Sequence, residues 1–131
     1  LDTALRLYCG RREYFSALTL AGAAEEILAV YLKRHRQPNA FDDTLDSSLR
    51  VYRWMFGEEG SHDQMYRTLN KAKNAAKHMK GKGDLSIECN ARDEAKQVID
   101  RAVENYYRLM SFEEINETPR IHKFNMHRVG R

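Results

Sequence analysis

Side chains that transfer protons and bind phosphate occur together in one short segment, Lys73-Asn74-Ala75-Ala76-Lys77-His78. On a helix, His78 falls one turn after Asn74 and on the same face. An imidazole can move a proton near neutral pH, and an amide can orient that imidazole or a phosphate. Neighbouring cations stabilise negative charge that develops on a phosphate. The segment therefore holds the components of metal-independent RNA cleavage by the 2′-hydroxyl, although the same residue types also make up ordinary solvated helix faces.

Positive charge is concentrated around this segment. No acidic residue lies between Asp63 and Asp84. The cations of that stretch are Arg67, Lys71, Lys73, Lys77, Lys80 and Lys82. Residues 118–131 repeat the pattern with Arg120, Lys123, Arg128 and Arg131. These charges predict either two solvated basic surfaces or two parts of one phosphate-binding footprint, with RNA as the candidate partner.

Composition predicts one all-α domain. The 131 residues suit a single core, and two prolines with seven glycines leave few interruptions for long helices. Cys9 and Cys89 have no metal-like or redox-like spacing, which favours reduced thiols and a cytoplasmic protein. No run of the sequence approaches the roughly 20 apolar residues that a bilayer needs, so we expect no membrane segment. No cofactor motif or metal-binding spacing is present, so neither a cofactor nor a metal is predicted.

Helical periodicity predicts an up-and-down bundle of four main helices over residues 1–111, with a short N-terminal turn and a basic C-terminal arm over 112–131. The expected helices are 11–36, a second from Asp43 or Thr44 to Phe56, a third from Ser61 to the glycines at 81 and 83, and a fourth from Asn90 to 111. The first is apolar nearly all round. This predicts a central helix or the seam of a homodimer.

Glu25 falls on the apolar stripe of the first long helix. Burial raises the pKa of a carboxyl group unless a cation such as Lys73 or Arg101 approaches it. Glu25 is therefore either a site residue that positions the catalytic base or one partner of an interhelical salt bridge.

The Lys73-Asn74 pair followed by His78 resembles the signature of HEPN domains, in which an Arg, often followed by Asn, precedes a His by a short interval. The helix that carries Ala23-Ala24-Glu25-Glu26-Ile27-Leu28 is also similar to the first major helix of such domains, where an acidic side chain often faces the site. The resemblance covers most of residues 11–111. Lysine stands here in place of the family's arginine, and a lysine cannot form the bidentate phosphate contact of a guanidinium.

The resemblance implies that His78 acts as general base or acid, that Asn74 orients it or the phosphate, and that Lys73 binds phosphate, with Glu25 facing the site. It also implies a homodimer, because HEPN sites are typically assembled from both protomers. Two function classes follow. One is a metal-independent ribonuclease of toxin or defence type that binds RNA through Arg67, Lys71, Lys77, Lys80 and Lys82. The other is a non-catalytic dimeric helical module that binds nucleic acid or a protein such as an antitoxin.

Overall fold

The computed structural model describes residues 1–78 and 90–130, and of residues 72 and 74–78 it describes the backbone alone. This part of the chain contains helices and no strand, which confirms the all-α class. The elements are α1 (Asp2–Arg6), a π-helical turn (Leu7–Arg11), α2 (Tyr14–Arg34), α3 (Ala40–Phe56), α4 (His62–His78), α5 (Ala91–Met110) and α6 (Pro119–Val129).

The centre of the fold is the pair α2 and α5, which contact each other more extensively than any other two elements. Small residues line the contact: Ala17 and Ala21 of α2 and Ala95 of α5 are fully buried. Small side chains let two helix backbones approach closely, so that the larger Leu18 and Ile99 fill the space beside the seam. These contacts make α2 a central helix of the core, which is one of the two roles predicted for the first long helix.

The second long helix begins earlier than predicted. Its N-cap is Asn39, whose side chain accepts a hydrogen bond of 2.9 Å from the N–H of Asp42, so the expected start at Asp43 or Thr44 was wrong. The N–H of Ala40 donates across the bundle to Oδ1 of Asn105 at 2.8 Å. Because α5 supplies this acceptor, the helix starts as soon as the chain leaves Pro38.

Three other predicted helix boundaries are confirmed. Ser61 accepts a hydrogen bond from the N–H of Gln64 at the start of α4, and Asn90 accepts one from the N–H of Asp93 at the start of α5. Gly57 ends α3 with φ of 70°, in the left-handed region that glycine adopts without steric cost.

The expected C-terminal arm contains a helix that packs on the core. Thr118 caps α6 by accepting a hydrogen bond from the N–H of Ile121, and Pro119 occupies the first turn. Ile121 and Phe124 are 1% and 8% exposed and belong to the core cluster. The hydroxyl of Thr118 also donates to Oδ1 of Asp2 at 2.7 Å, which ties α6 to α1. Residues 119–129 are therefore part of the helical domain.

Helix α2 is long and apolar enough to cross a membrane by length and composition alone, with a mean hydropathy of 1.4 over its most apolar window. The expectation that no segment would reach this length and apolarity was therefore wrong. Core helices pass the same test, and α2 carries Glu25 buried against cations of two other helices. Buried charge paired within a bundle and packing along α5 are features of a core helix.

Most of the exposed large apolar side chains lie on two helices. On α2 they are Phe15, Leu20, Ile27, Val30 and Tyr31. On α3 they are Val51, Trp54, Met55 and Phe56, with Trp54 85% exposed. The first group is called the outer face of α2 below.

Candidate functional site

A buried ion cluster joins the three helices α2, α4 and α5. Oε1 of Glu25 accepts a hydrogen bond of 3.1 Å from Nζ of Lys73, and Oε2 accepts one from Nε of Arg101. The side chains of Glu25, Lys73 and Arg101 are 3%, 8% and 8% exposed. Removing charges from water is costly, so each of the three depends on the others for compensation.

Lys73 reaches this cluster by passing close to Gly22. A Cβ atom built on Gly22 would lie 2.8 Å from Cγ and 2.9 Å from Cδ of Lys73. Only a residue without a side chain leaves room for the methylene stem of the lysine against α2. Gly22 therefore has a packing role that its place inside a helix would not suggest.

Two further groups complete the surroundings of the cations. Oε1 of Glu26 lies 3.6 Å from Nζ of Lys73, and the side chain of Glu26 is 44% exposed. The ring centroid of Phe41 lies 5.8 Å from Nζ of Lys73 and 5.3 Å from Cζ of Arg101. The two carboxylates balance the two cations, and the aromatic face stabilises both.

A cavity of about 230 Å³ opens beside the cluster. It is lined by Glu25, Glu26, Ala29, Asn39, Phe41, Asp42, Tyr66, Asn70 and Lys73. The rings of Phe41 and Tyr66 meet edge to face at 5.3 Å. Asn70 is 2% exposed, and its Oδ1 has no hydrogen-bond partner among the residues that the structure describes. Buried acceptors are normally satisfied, so this amide marks the cavity wall as a place where a donor would gain a hydrogen bond.

The structure brings together two of the predicted site residues, Glu25 and Lys73. Arg67 and Lys71 are exposed on α4 and separated by one helical turn. Asn74, Lys77 and His78 belong to α4, but their side chains lie outside the described part of the chain. Lys80 and Lys82 lie outside the described residues altogether.

Sequence reasoning named Arg101 as a possible cation for Glu25 but left it, with Asn70, Phe41 and Tyr66, out of the candidate site. Arg101 lies next to Ala102 among the mostly apolar buried positions of α5. A charged residue among buried positions at helical spacing is a detectable signal, because charge is rarely buried without a partner. Asn70 carried no comparable signal, since α4 is polar around much of its circumference.

The cluster offers no metal site. Among the residues whose side chains the structure describes, no group of three or more His, Cys, Asp or Glu is arranged to hold a metal ion. Two carboxylates that are already matched by two cations supply neither spare negative charge nor open ligand positions. What the arrangement can do is fix α4 against α2 and α5, and so fix the direction in which the exposed basic residues of α4 point.

No family model, curated protein or solved structure matches this chain.

Proposed function

We propose that this chain is a HEPN-like RNA-binding domain, with α2 to α5 as an up-and-down bundle and with metal-independent ribonuclease activity at α4. The observation that carries the proposal is the contact between Glu25 and Lys73. The resemblance implies an acidic side chain of the first long helix that faces the site. A hydrogen bond of 3.1 Å joins Glu25 of that helix to Lys73, the first residue of the motif.

The roles of the cations follow from their exposure. Lys73 is 8% exposed and pairs with two carboxylates, so its positive charge is largely compensated within the protein. Arg67 and Lys71 are exposed on the same helix and are placed to contact phosphates. In this proposal Lys73 positions α4, Arg67 and Lys71 bind the RNA backbone, and His78 transfers the proton with Asn74 as its orienting partner. Lys77, Lys80 and Lys82 extend the basic surface.

Cleavage is tested by incubating the purified protein with a mixed RNA pool in the presence of a chelator and identifying the product ends. We expect products with 2′,3′-cyclic phosphate from the unmodified chain and none from His78→Ala, because an alanine cannot accept the proton of the 2′-hydroxyl. Binding without cleavage would overturn the enzymatic part and retain the RNA-binding part.

Binding is tested separately by fluorescence anisotropy with a labelled single-stranded RNA over a range of salt concentrations. The slope of log K against log salt is negative, and each lost phosphate contact reduces its magnitude by about 0.7, so Arg67→Ala/Lys71→Ala should reduce that magnitude by about 1.4. Arg50→Ala/Arg53→Ala is the matched control, because it removes the same charge from α3. Equal effects of the two double variants would refute a specific footprint on α4, and absence of binding by the unmodified chain would refute RNA binding.

The second candidate is a non-catalytic dimeric module that binds a nucleic acid or a protein partner such as an antitoxin. The observation that favours it is the outer face of α2, where Ile27 is 57% and Val30 53% exposed beside Tyr31. An apolar face of this kind is typical of an interface. Light scattering should report a dimer that Ile27→Asp dissociates, whereas the control Val51→Asp on α3 leaves it intact. A monomer at high concentration would overturn the homodimer.

The cytoplasm is the compartment that we propose for either function. Cys9 is a free thiol, as expected in a reducing environment, and Cys89 lies outside the described residues.

A further inference from the structure

A second concave surface lies between the N-terminal elements and α6, apart from the ion cluster. This pocket has a volume of about 390 Å³. Four basic side chains surround it, namely Arg6, Arg120, Lys123 and His127, over a floor that includes Leu5 and Phe124. Its volume falls within the roughly 300–1,000 Å³ of small-molecule sites. No acidic residue is among the described residues that line it.

The positive charge of this pocket is mostly uncompensated. Nη1 of Arg120 pairs with Oδ2 of Asp2 at 2.8 Å. Arg6, Lys123 and His127 are exposed, and within the described chain none of the three has a hydrogen-bond or ion-pair partner. Lys123 and His127 are one turn apart on α6 and so point to the same side. Converging cations without a carboxylate produce a local field that attracts an anion.

The pocket wall is built on an unusual backbone. Leu7–Arg11 form a π-helical turn, and Arg12 follows with a left-handed φ of 55°. Such turns are rare and are frequently found at functional sites, because the local strain persists only where the surrounding structure supports it. Gly10 lines the pocket within this turn, and a Cβ atom built on it would meet no atom within 4 Å. The wall is therefore open where a side chain would otherwise stand.

The floor of the pocket consists of apolar side chains that are packed into the core. Leu5 is 1% and Phe124 8% exposed, and both belong to the core cluster. The ring of Tyr8 packs edge to face against that of Phe124, with 6.5 Å between centroids. Partial desolvation raises the pKa of the Cys9 thiol at the pocket edge. The site thus combines a cationic rim with a hydrophobic base.

We propose that this pocket binds a nucleoside phosphate, with the phosphate held by Arg6, Lys123 and His127 and the base resting on the Leu5 and Phe124 floor. A phosphate can accept hydrogen bonds from the cations Arg6 and Lys123 and from a ring N–H of His127, and a ring-sized group fills the remaining apolar volume. The ligand is either a free mononucleotide or the phosphorylated end of an RNA strand. The proposal is independent of the function proposed for α4, because it involves none of the residues of that helix.

Calorimetric titration with each of the four ribonucleoside 5′-monophosphates tests the proposal. Adenosine and inorganic phosphate serve as probes that each lack one half of the ligand. We expect at least one mononucleotide to bind more tightly than either half, since the rim and the floor contribute together. No binding of any mononucleotide at millimolar concentration would overturn the site. Inorganic phosphate binding as tightly as every mononucleotide would overturn the role of the floor.

Two kinds of variant locate the ligand. Arg6→Ala/Lys123→Ala should weaken binding by about tenfold or more, because each charged hydrogen bond lost costs at least that order. Gly10→Leu should block the pocket by filling its open wall. The matched control Lys33→Ala/Arg34→Ala removes the same charge from the end of α2, and Arg67→Ala/Lys71→Ala changes the α4 surface alone. A loss of binding in either control equal to that in Arg6→Ala/Lys123→Ala would overturn the location.

A short RNA with a 5′-phosphate, compared with the same RNA carrying a 5′-hydroxyl, distinguishes the two sources of the ligand. Tighter binding of the phosphorylated strand than of the mononucleotide would identify a strand end, and the reverse order would identify a free nucleotide. Circular dichroism of every variant establishes that it is folded, which is expected because Arg6 and Lys123 are exposed. Retained binding in a folded Gly10→Leu protein would overturn the assignment to this pocket.

Discussion

Replacing Glu25 with glutamine should destabilise the protein strongly while leaving its shape unchanged. The substitution keeps the volume of the side chain and one acceptor oxygen, and it removes the charge that compensates Lys73 and Arg101. Both cations are 8% exposed, so water cannot take the place of the carboxylate. Breaking a buried ion pair by removing one partner typically costs about 3–5 kcal/mol.

The geometry places the expected loss near the lower end of that range. Lys73 keeps the carboxylate of Glu26 at 3.6 Å, so it is not left alone. Arg101 has no second carboxylate among the described residues, and its Nη2 already lacks a partner there. We therefore expect Glu25→Gln to lower the free energy of unfolding by about 3 kcal/mol, a large part of the roughly 5–15 kcal/mol typical of a domain.

Urea denaturation followed by far-UV circular dichroism at pH 7 measures this loss, provided that the m-value is unchanged. Glu26→Gln is the matched control: its side chain is 44% exposed, so the expected loss is below about 1 kcal/mol. Replacing the whole cluster, with Glu25→Leu, Lys73→Met and Arg101→Met combined, should recover most of the stability, because no buried charge remains. A loss below about 1 kcal/mol for Glu25→Gln would refute the argument that the cluster is compensated internally.

Three further expectations concern packing, a helix start and pH. Gly22→Ala should lower the free energy of unfolding by about 1–2 kcal/mol, because the new Cβ would lie 2.8 Å from Cγ of Lys73. In a Lys73→Ala background the same change should raise the free energy of unfolding, because alanine favours a helix over glycine. Chemical denaturation of the unmodified chain, the two single variants and the double variant measures both effects. Asn105→Leu should cost about 1–3 kcal/mol by leaving the N–H of Ala40 without its acceptor, and amide hydrogen exchange at the start of α3 should speed up. The hydrogen bond from the Thr118 hydroxyl, together with the Arg120 guanidinium, lowers the pKa of the Asp2 carboxyl below its ordinary value of 3.8. The ionised carboxylate of Asp2 therefore stabilises the fold above its unfolded-state pKa, and this stabilisation is lost as pH falls through its folded-state pKa. Asp2→Asn should lower the free energy of unfolding by about 0.5 kcal/mol at pH 7 and leave it unchanged in strong acid. A stability difference between the two proteins that persists in acid would contradict this.

The helix boundaries that sequence predicted are those determined by local chemistry. Ser61, Asn90 and Gly57 act on backbone groups within four residues of themselves, so their effect can be read from the chain alone. The start of α3 was misplaced although Asn39 caps it locally, because Asp43 and Thr44 offer equally short polar side chains. The chain alone does not show that Asn105, 65 residues away, accepts from the N–H of Ala40.

In the candidate site too, sequence predicted what local pattern determines and missed what depends on contacts between distant helices. Glu25 stood out because a carboxylate on an apolar stripe requires a cation. The pairing of that carboxylate with two cations at once depends on how α4 and α5 pack. Helix α6 was missed because only Ile121 and Phe124 mark its buried side, which is too few positions for a periodic signal.

The pairing of α2 with α5 has a consequence for how the chain folds. Glu25 meets Arg101 across 76 residues and Lys73 across 48, so the contacts that bury the longest helix close long loops. Loop closure must be achieved before such contacts gain stability, which slows folding. During synthesis α2 emerges well before α5, and until then it lacks the helix that it contacts most extensively. The nascent chain therefore exposes much of its most hydrophobic segment until α5 has been made, and in this interval it is prone to associate with chaperones or with another copy.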